Sequence, residues 1–413
     1  MTARERLRSR PVPADQQQLR ETIEALAPIE RRPTSPGERE AADWIAERLR
    51  ALGCEAQIEE ERAYSNYARP MAAMMGMGAA AGMAALGRVR LPAALLATGA
   101  AAGIAEDAAN GPRLFRRATM SKQPTWNVVA HAGDRDAERT VVVLAHHDAA
   151  PTGRVFDQTA HRLLGRTFPG VIEHTDTSIP LWWPVVGAPS LVASAALRGR
   201  RARALTGLAL CLVGVAAFSD IGRDRIVPGA SDNLSGVAVV VALAAAFQDR
   251  PLEGARVLLV SCGSEEVLQG GIHGFMERHS PSLAPERTWF LNFDTLGGPK
   301  LVMLEGEGPF LMEDYTDLEF RNLVARVAEE TSILLRRGMR SRNSTDSLIP
   351  SRARYRTATF ASMDRDKAQP HYHLMTDTPE NVDYATVARA ADLGEAIIRA
   401  LADGADDRGA AGS

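Results

Sequence analysis

Cysteine is scarce in this chain, and its scarcity narrows the chemistry at once. The 413 residues hold only Cys54, Cys211 and Cys262, no two of them close together. Three scattered thiols make neither a disulfide framework nor a thiolate-rich zinc knuckle. Any metal must then be held by histidine and carboxylate. Charge of one sign is missing too. A formal net charge of -3 with 24% charged residues lacks the basic footprint of a nucleic-acid binder, so no nucleic-acid partner is expected. The stretch Met1–Pro13 carries arginines but lacks the apolar core of a cleavable signal peptide. No lipidation motif and no fixed-period repeat is evident. The length suits one large α/β domain with insertions, or two ordinary domains.

What is present is alternation. Residues 14–52 read as helical. Apolar residues recur at helical spacing over Gln18–Ile29. Thr34-Ser35-Pro36-Gly37 then looks like a helix start, with Glu38 and Glu40 in its first turn. Ala41, Ile45, Leu49 and Leu52 continue that helix, and Gly53 stands where a C′ glycine would end it. Ala56–Glu60 reads as the start of a strand. Val128–Ala130, Val141–Ala145, Ala255–Ser261 and Thr288–Phe293 are apolar runs typical of buried strands. Val237–Phe247, Asn322–Thr331 and Tyr384–Ala402 read as helices. Strands separated by helices imply an α/β fold, a mostly parallel mixed sheet sandwiched by helices.

Two apolar tracts interrupt this alternation, each folded back on itself. Met71–Gly87 and Leu91–Ala105 flank Arg88-Val89-Arg90; Ile179–Leu197 and Ala204–Phe218 flank the basic run 198–203. Each pair reads as an inserted helical hairpin with a basic tip. The expected organisation is a catalytic domain in three pieces, 14–69, 123–150 and 226–403. Insertions fall at 70–106 and 151–225, the second containing the hairpin 179–218, and 404–413 is a disordered tail. Ile179–Leu197 would extend roughly 28 Å as a helix, against a bilayer core of about 30 Å. The other tracts are shorter and rich in Ala and Gly. Trp182 and Trp183 suit a membrane interface, and the arginine tips suit a cytoplasmic side. Membrane association is the expectation, although it would require about 70 N-terminal residues to cross without a signal peptide. The alternatives are an apolar four-helix subdomain in a cytoplasmic protein, or a dimer interface. The oligomeric state is not legible.

Five short segments carry the chemistry. His146-His147-Asp148 follows the run Val141–Ala145, and functional residues collect at the carboxyl ends of parallel strands. Imidazole is a good zinc ligand, and an acid two residues on can orient it. Gly229–Gly236 places Asp232 before a helix, where it could bridge two cations or simply cap the helix. Glu265-Glu266 follows another strand. Adjacent carboxylates need a cation or a proton to coexist, so one could ligate while the other takes a proton; a solvated acidic pair opening a helix is the alternative. Asp294 closes the run Thr288–Phe293, a costly place for an unpaired acid. His371-Tyr372-His373 precedes Asp377-Thr378-Pro379, and His373 could complete the set. Two histidines with three carboxylates suit a pair of divalent ions sharing one acid. Nitrogen–oxygen ligation favours two Zn²⁺, with Mn²⁺ or Co²⁺ as alternatives.

The order and context of these segments resemble the M28 zinc peptidases. The motifs are Ala145-His146-His147-Asp148, Gly229–Gly236, Glu265-Glu266 with Gly271 and Phe275, Asn292-Phe293-Asp294, and Tyr372–Asp383. Ser35-Pro36-Gly37 looks like the family's opening segment, and Ser344-Thr345-Asp346 loosely resembles a shorter motif. The resemblance covers residues 34–62, 125–149 and 226–400, and leaves out both hairpins. It implies a zinc-exopeptidase-like fold and an aminopeptidase acting on peptides with a free N-terminus. It further implies that His146 and Asp294 hold one zinc, that Glu266 and His373 hold the other, and that Asp232 bridges. Glu265 would be the general base, Asp148 would orient His146, and Tyr372 would help stabilise the oxyanion. His147 would shape the pocket without ligating. An amide or dipeptide hydrolase, a glutaminyl cyclase, and a non-catalytic membrane-anchored binding protein are the competing readings.

Overall fold

The computed structural model describes residues 11, 13–87, 89–315 and 317–405. Most of the stretch Met1–Pro13 and the tail from 406 on therefore lie outside the described residues. Gly404, whose N–H meets the Leu401 carbonyl at 3.1 Å, closes the last helix with a turn.

Nine strands form one mixed sheet: β1 (Glu55–Ala63), β2 (Gln123–Gly133), β3 (Thr140–His146), β4 (Arg256–Cys262), β5 (Thr288–Phe293), β6 (Lys300–Glu307), β7 (Glu313–Asp314), β8 (Arg336–Ser341) and β9 (Arg356–Met363). Their order is β1-β2-β4-β3-β5-β9-β6-β7, with β8 beside β6. The central strands β4, β3, β5 and β9 run parallel. The flanking pairs β1–β2, β2–β4, β6–β7 and β6–β9 are antiparallel. The parallel strands are the all-apolar runs of the sequence, because both their faces are covered.

Residues 14–52 give α1 (Gln16–Leu26) and α2 (Pro36–Ala51). Ser35 caps α2 by accepting from the Glu38 N–H, and Gly53 adopts φ +79°, as a C′ glycine does. The hairpin tracts give α3 (Ala68–Leu86), α4 (Arg90–Ala108), α8 (Trp182–Arg198) and α9 (Arg201–Ile221); the short helices α5 (Leu114–Thr119), α6 (Thr159–Thr167) and α7 (Pro169–His174) lie between them. The C-terminal half adds α10 (Ser235–Asp249), α11 (Gly270–His279), α12 (Leu318–Glu330), α13 (Leu348–Arg352) and α14 (Tyr384–Ala402). One sheet face packs against α1, α2, α10, α12 and α14, which bring Ile23, Ile45, Val240, Val324 and Ile397 into the main core. The other face meets α11 through Ile272 and Phe275.

The two hairpins do not stand apart. They pack on each other as a four-helix bundle with its own core, including Met71, Met74, Ile104, Val192 and Phe218. Small residues permit the close approach. A Cβ on Gly207 would lie 3.0 Å from the Val192 backbone nitrogen, and one on Gly82 would lie 3.2 Å from the Leu208 Cα. The longest of the four is α9 with 21 residues, not the Ile179–Leu197 tract. That tract becomes helical only at Trp182.

Two helices among the described residues are long and apolar enough to cross a membrane. One is α9, whose apolar stretch is 28% buried in the protein; the other is α10 with its preceding turn, 94% buried in the domain core. Length and composition thus single out one helix of the bundle and one ordinary core helix.

Candidate metal centre

The carboxyl ends of the parallel strands build the site. His146 is the last residue of β3, Glu265 and Glu266 follow β4, and Asp294 follows β5. Asp232 lies in the turn before α10 with φ -114° and ψ 89°, and its peptide bond to Asn233 is cis. Helix capping falls to its neighbour. Asn233 Oδ1 accepts from the Gly236 N–H at 3.0 Å, while its Nδ2 donates to the Phe293 carbonyl at 2.9 Å. The turn is thereby tied to the end of β5, and the Asp232 carboxylate is left for other partners.

Asp232 stands between the two histidines. Its Oδ1 is 3.4 Å from His146 Nε2, and its Oδ2 is 3.3 Å from His373 Nε2. His373 Nε2 is also 3.2 Å from Glu266 Oε2. His146 Nε2 is 3.9 Å from Glu265 Oε2, and its Nδ1 is 3.4 Å from Asp148 Oδ1. Asp294 joins through Thr295, whose hydroxyl lies 2.7 Å from Asp294 Oδ1 and 3.3 Å from Asp232 Oδ1. All of these carboxylates and imidazoles are buried. Tyr372 is half-buried and stacks on the His373 ring at 3.9 Å between centroids. His147 turns the other way, to Ser261 Oγ at 2.9 Å, because alternate residues leave a strand on opposite faces.

Burial and mutual repulsion push Glu265, Glu266 and Asp294 up. Glu265 is held well above the carboxylate range by burial and by Asp346, Glu266 and Asp294, against the pull of His146. Burial raises Glu266 to about 7, with His373 opposing. Burial disfavours a charged His373, yet Glu266 and Asp232 outweigh it and raise the imidazole to about 10. His146 is raised in the same way by Asp148 and Asp232. The protein alone thus compensates its acids with protonated imidazoles, a role that divalent cations fill with more charge.

The donor set fits such cations. One ligand atom each from His146, Asp232 and Glu266 lies within 4.8 Å of the others. His373 Nε2 and Glu266 Oε1 make no well-formed hydrogen bond although both are buried. Buried polar atoms are nearly always paired, and two that converge without bonding each other are suited to share a cation. Harder oxygen and borderline nitrogen donors without sulfur suit zinc.

Several residues that hold this shell were missed in the sequence or read only as local signals. Asp148 accepts from the Glu265 and Glu266 N–H groups, each at 3.0 Å, so it fixes the acidic pair as well as facing His146. Asp377 does the same for the Ser231 and Asp232 N–H groups, at 2.7 and 3.0 Å. Glu38, which reads as a first-turn acid, is fully buried and accepts from the Ser264 N–H at 2.7 Å. Arg31, in a run of charges, is fully buried and donates to the carbonyls of His147 at 2.8 Å and Pro228 at 2.6 Å. Gln269 donates to Glu265 Oε1 at 2.7 Å. Asp346 sits buried beside Cys262, raised to about 7 chiefly by burial.

Comparison with known proteins bears on this geometry. Three solved structures illustrate the likeness of fold. The aminopeptidase from Aneurinibacillus sp. strain AM-1 is 14% identical, with 94% of each chain covered and a TM-score of 0.55. BSAP, a zinc aminopeptidase from Bacillus subtilis, is 14% identical over 95% of this chain and 96% of its own, with a TM-score of 0.55. The Bacteroides thetaiotaomicron glutaminyl cyclase bound to N-acetylhistamine is 13% identical over 94% and 99%, again at 0.55. Such identities speak for the fold alone. No curated protein matches the chain by sequence. The model of peptidase family M28 matches residues 214–398, which include Asp232, Glu265, Glu266, Asp294 and His373.

Proposed function

We propose that the chain is a membrane-associated aminopeptidase that works with two zinc ions. One observation carries the reading: a buried carboxylate, Asp232, directs one oxygen to each of two imidazoles, with a second acidic pair alongside. His146 and Asp294 would hold one ion, Glu266 and His373 the other, and Asp232 both. Bound there, the ions supply Lewis acidity, which acidifies water and polarises a carbonyl. Glu265 accepts the proton of the attacking water and passes it to the departing amine. Asp148 keeps the His146 ring in place. Tyr372, whose hydroxyl burial holds well above its usual range, stays a hydrogen-bond donor beside the reacting carbonyl.

A cavity of about 880 Å³, its open mouth included, adjoins Glu265, Glu266 and His373. Its far wall is built by Tyr67, Leu181, Trp182, Val185, Phe218 and Ile221, at the domain end of the bundle. Tyr67, Trp182 and Phe218 form an aromatic cluster there, with ring centroids 6.2 to 6.4 Å apart. Such a wall favours a large apolar first side chain and disfavours the polar amide of an N-terminal glutamine. That favours peptide cleavage over glutamine cyclisation, the activity named for one structural neighbour. The test is bound zinc per chain, measured with turnover on a panel of aminoacyl p-nitroanilides beside N-blocked peptides and glutaminyl peptides. Two zincs and preference for unblocked Leu or Phe are expected. Absence of tightly bound metal would sink the reading.

Lipid is the proposed surround of the bundle. Leu95, Leu197 and Val213 are 66%, 67% and 65% exposed on its outside. Soluble monomers seldom leave so much apolar surface in water. Helices of 17 to 21 residues reach about 26 to 32 Å, near the thickness of a bilayer core. The protein should accordingly sediment with membranes and need detergent for release. Recovery in the soluble fraction after simple lysis would remove the bilayer from the account.

A further inference from the structure

The inserted bundle and the catalytic loop are joined by a buried polar relay. The loop 264–269 carries Glu265 and Glu266, and three of its non-glycine residues have positive φ: Ser264 at 53°, Leu268 at 73° and Gln269 at 56°. Side chains rarely adopt such conformations unless their surroundings enforce them. The enforcing groups on one side come from the exit of the first hairpin. Arg116 Nη1 donates to the Val267 carbonyl at 2.9 Å, held by a fully buried bidentate pair with Asp107 at 2.7 and 3.1 Å. Arg113 donates to the Leu268 carbonyl and to Asn110 Oδ1. Asn110 Nδ2 donates to Gln269 Oε1 at 2.7 Å, and Gln269 Nε2 donates to Glu265 Oε1 at 2.7 Å and to the Ser344 carbonyl at 2.9 Å.

The direction of this relay is fixed at both ends. A guanidinium only donates and a carbonyl only accepts. Arg113 therefore turns the Asn110 oxygen toward itself and the Asn110 amide nitrogen toward Gln269. Ser344 likewise draws the Gln269 nitrogen, with one N–H on its carbonyl and the other on Glu265. One oxygen of Glu265 is thus anchored, and the other, Oε2, faces His146. The segment that does this, 107–116, lies outside the stretches that resemble M28 peptidases and outside the family match at 214–398.

We propose that Asn110 is a positioning residue for Glu265, acting through Gln269, and that the first hairpin is thereby part of the catalytic apparatus. The proposal rests on Glu265 being the general base. Packing of the hairpin against the domain then sets how well the base is aimed, so loosening the hairpin lowers turnover without touching the metal ligands.

The experiment compares Asn110→Gly and Asn110→Asp in the full-length protein. Asn110 has φ +55°, which glycine adopts freely, so the first variant deletes the side chain without backbone strain. The second keeps the shape and the acceptor for Arg113 but sets an oxygen against Gln269 Oε1. Its carboxylate should turn the Gln269 amide away from Glu265. Both variants should keep wild-type zinc content and KM within about twofold. The value of kcat should fall roughly tenfold in Asn110→Gly and further in Asn110→Asp, within the hundredfold that a misplacement of about 1 Å can cost. Amide hydrogen exchange should speed up in peptides spanning 264–270 and stay unchanged across β3 and β5. Unchanged exchange at 264–270, or unchanged kcat in both variants, overturns the proposal. So does a loss of kcat that merely follows lost zinc or a lowered melting point. If the wild type binds zinc yet cleaves no aminoacyl anilide, the peptidase reading fails instead, and the exchange measurement still decides the relay.

Discussion

Glu265→Gln should bind as much zinc as the wild type and turn over about 10² to 10⁴ times more slowly. That range is what a positioned general base contributes, equivalent to about 2.7 to 5.4 kcal/mol of barrier. The two neighbouring glutamates differ in what they face. Glu266 faces His373 at 3.2 Å and is the one assigned to the proposed ligand shell. Glu265 stands 3.9 Å from His146, held through its other oxygen by Gln269 at 2.7 Å. Glutamine keeps the shape and still accepts from Gln269, and the backbone N–H groups of both residues remain on Asp148. The loop should therefore hold, and KM should change little. Only the capacity to take a proton is lost. Zinc per chain by atomic emission, with steady-state kinetics on leucine p-nitroanilide, checks it. Near-normal kcat at full zinc loading would assign the proton to another group.

The segments of His146, Glu265-Glu266 and Asp294 were legible because each stands at the end of an apolar run, and these runs proved to be adjacent parallel strands, whereas Asp232 and His373 lie in loops. Thr288–Phe293 is found as read, and Val141–Ala145 and Ala255–Ser261 shift by a residue at their ends. The other half of the sheet was not legible. In β9, Thr357, Thr359 and Ser362 are buried among Ala and Phe, so its composition does not announce a core strand. The hydroxyls of Thr359 and Ser362 are satisfied by partners far away in the chain, Tyr315 and the Thr295 carbonyl, each at 2.6 Å. β8, Arg336–Ser341, is polar but for Gly338 and Met339, and its one strand partner among the described strands is β6. The supporting residues of the site were hidden for a similar reason. Arg31 sits among charged neighbours and looks solvated, yet two of its partners are carbonyls 116 and 197 residues away. Nothing local distinguishes a surface arginine from one that ties two ligand loops together. The hairpins were legible as helices, but their sequence did not disclose that Asn110 and Arg116 reach the catalytic loop.

The largest effect should come from Asp232. Replacement by asparagine keeps the side chain's size but removes the charge shared by His146 and His373. A neutral amide offers one oxygen, and its nitrogen cannot ligate a cation. Zinc content should fall from two ions to at most one, and turnover should fall further than in Glu265→Gln. Stability should change as well, in a way the base variant does not share. A ligand present at a hundred times its Kd stabilises the folded chain by about 2.7 kcal/mol. Chelation should therefore lower the melting point of the wild type and of Glu265→Gln alike, while Asp232→Asn should start low and respond little. Asp232 is also pulled below the usual carboxylate range despite burial, because both imidazoles favour its charge. Without metal, losing that charge leaves two buried cationic rings facing each other, so the variant is penalised in either state. Two zincs per chain, together with a melting point that still falls on chelation, would show that Asp232 does not join the two metal positions.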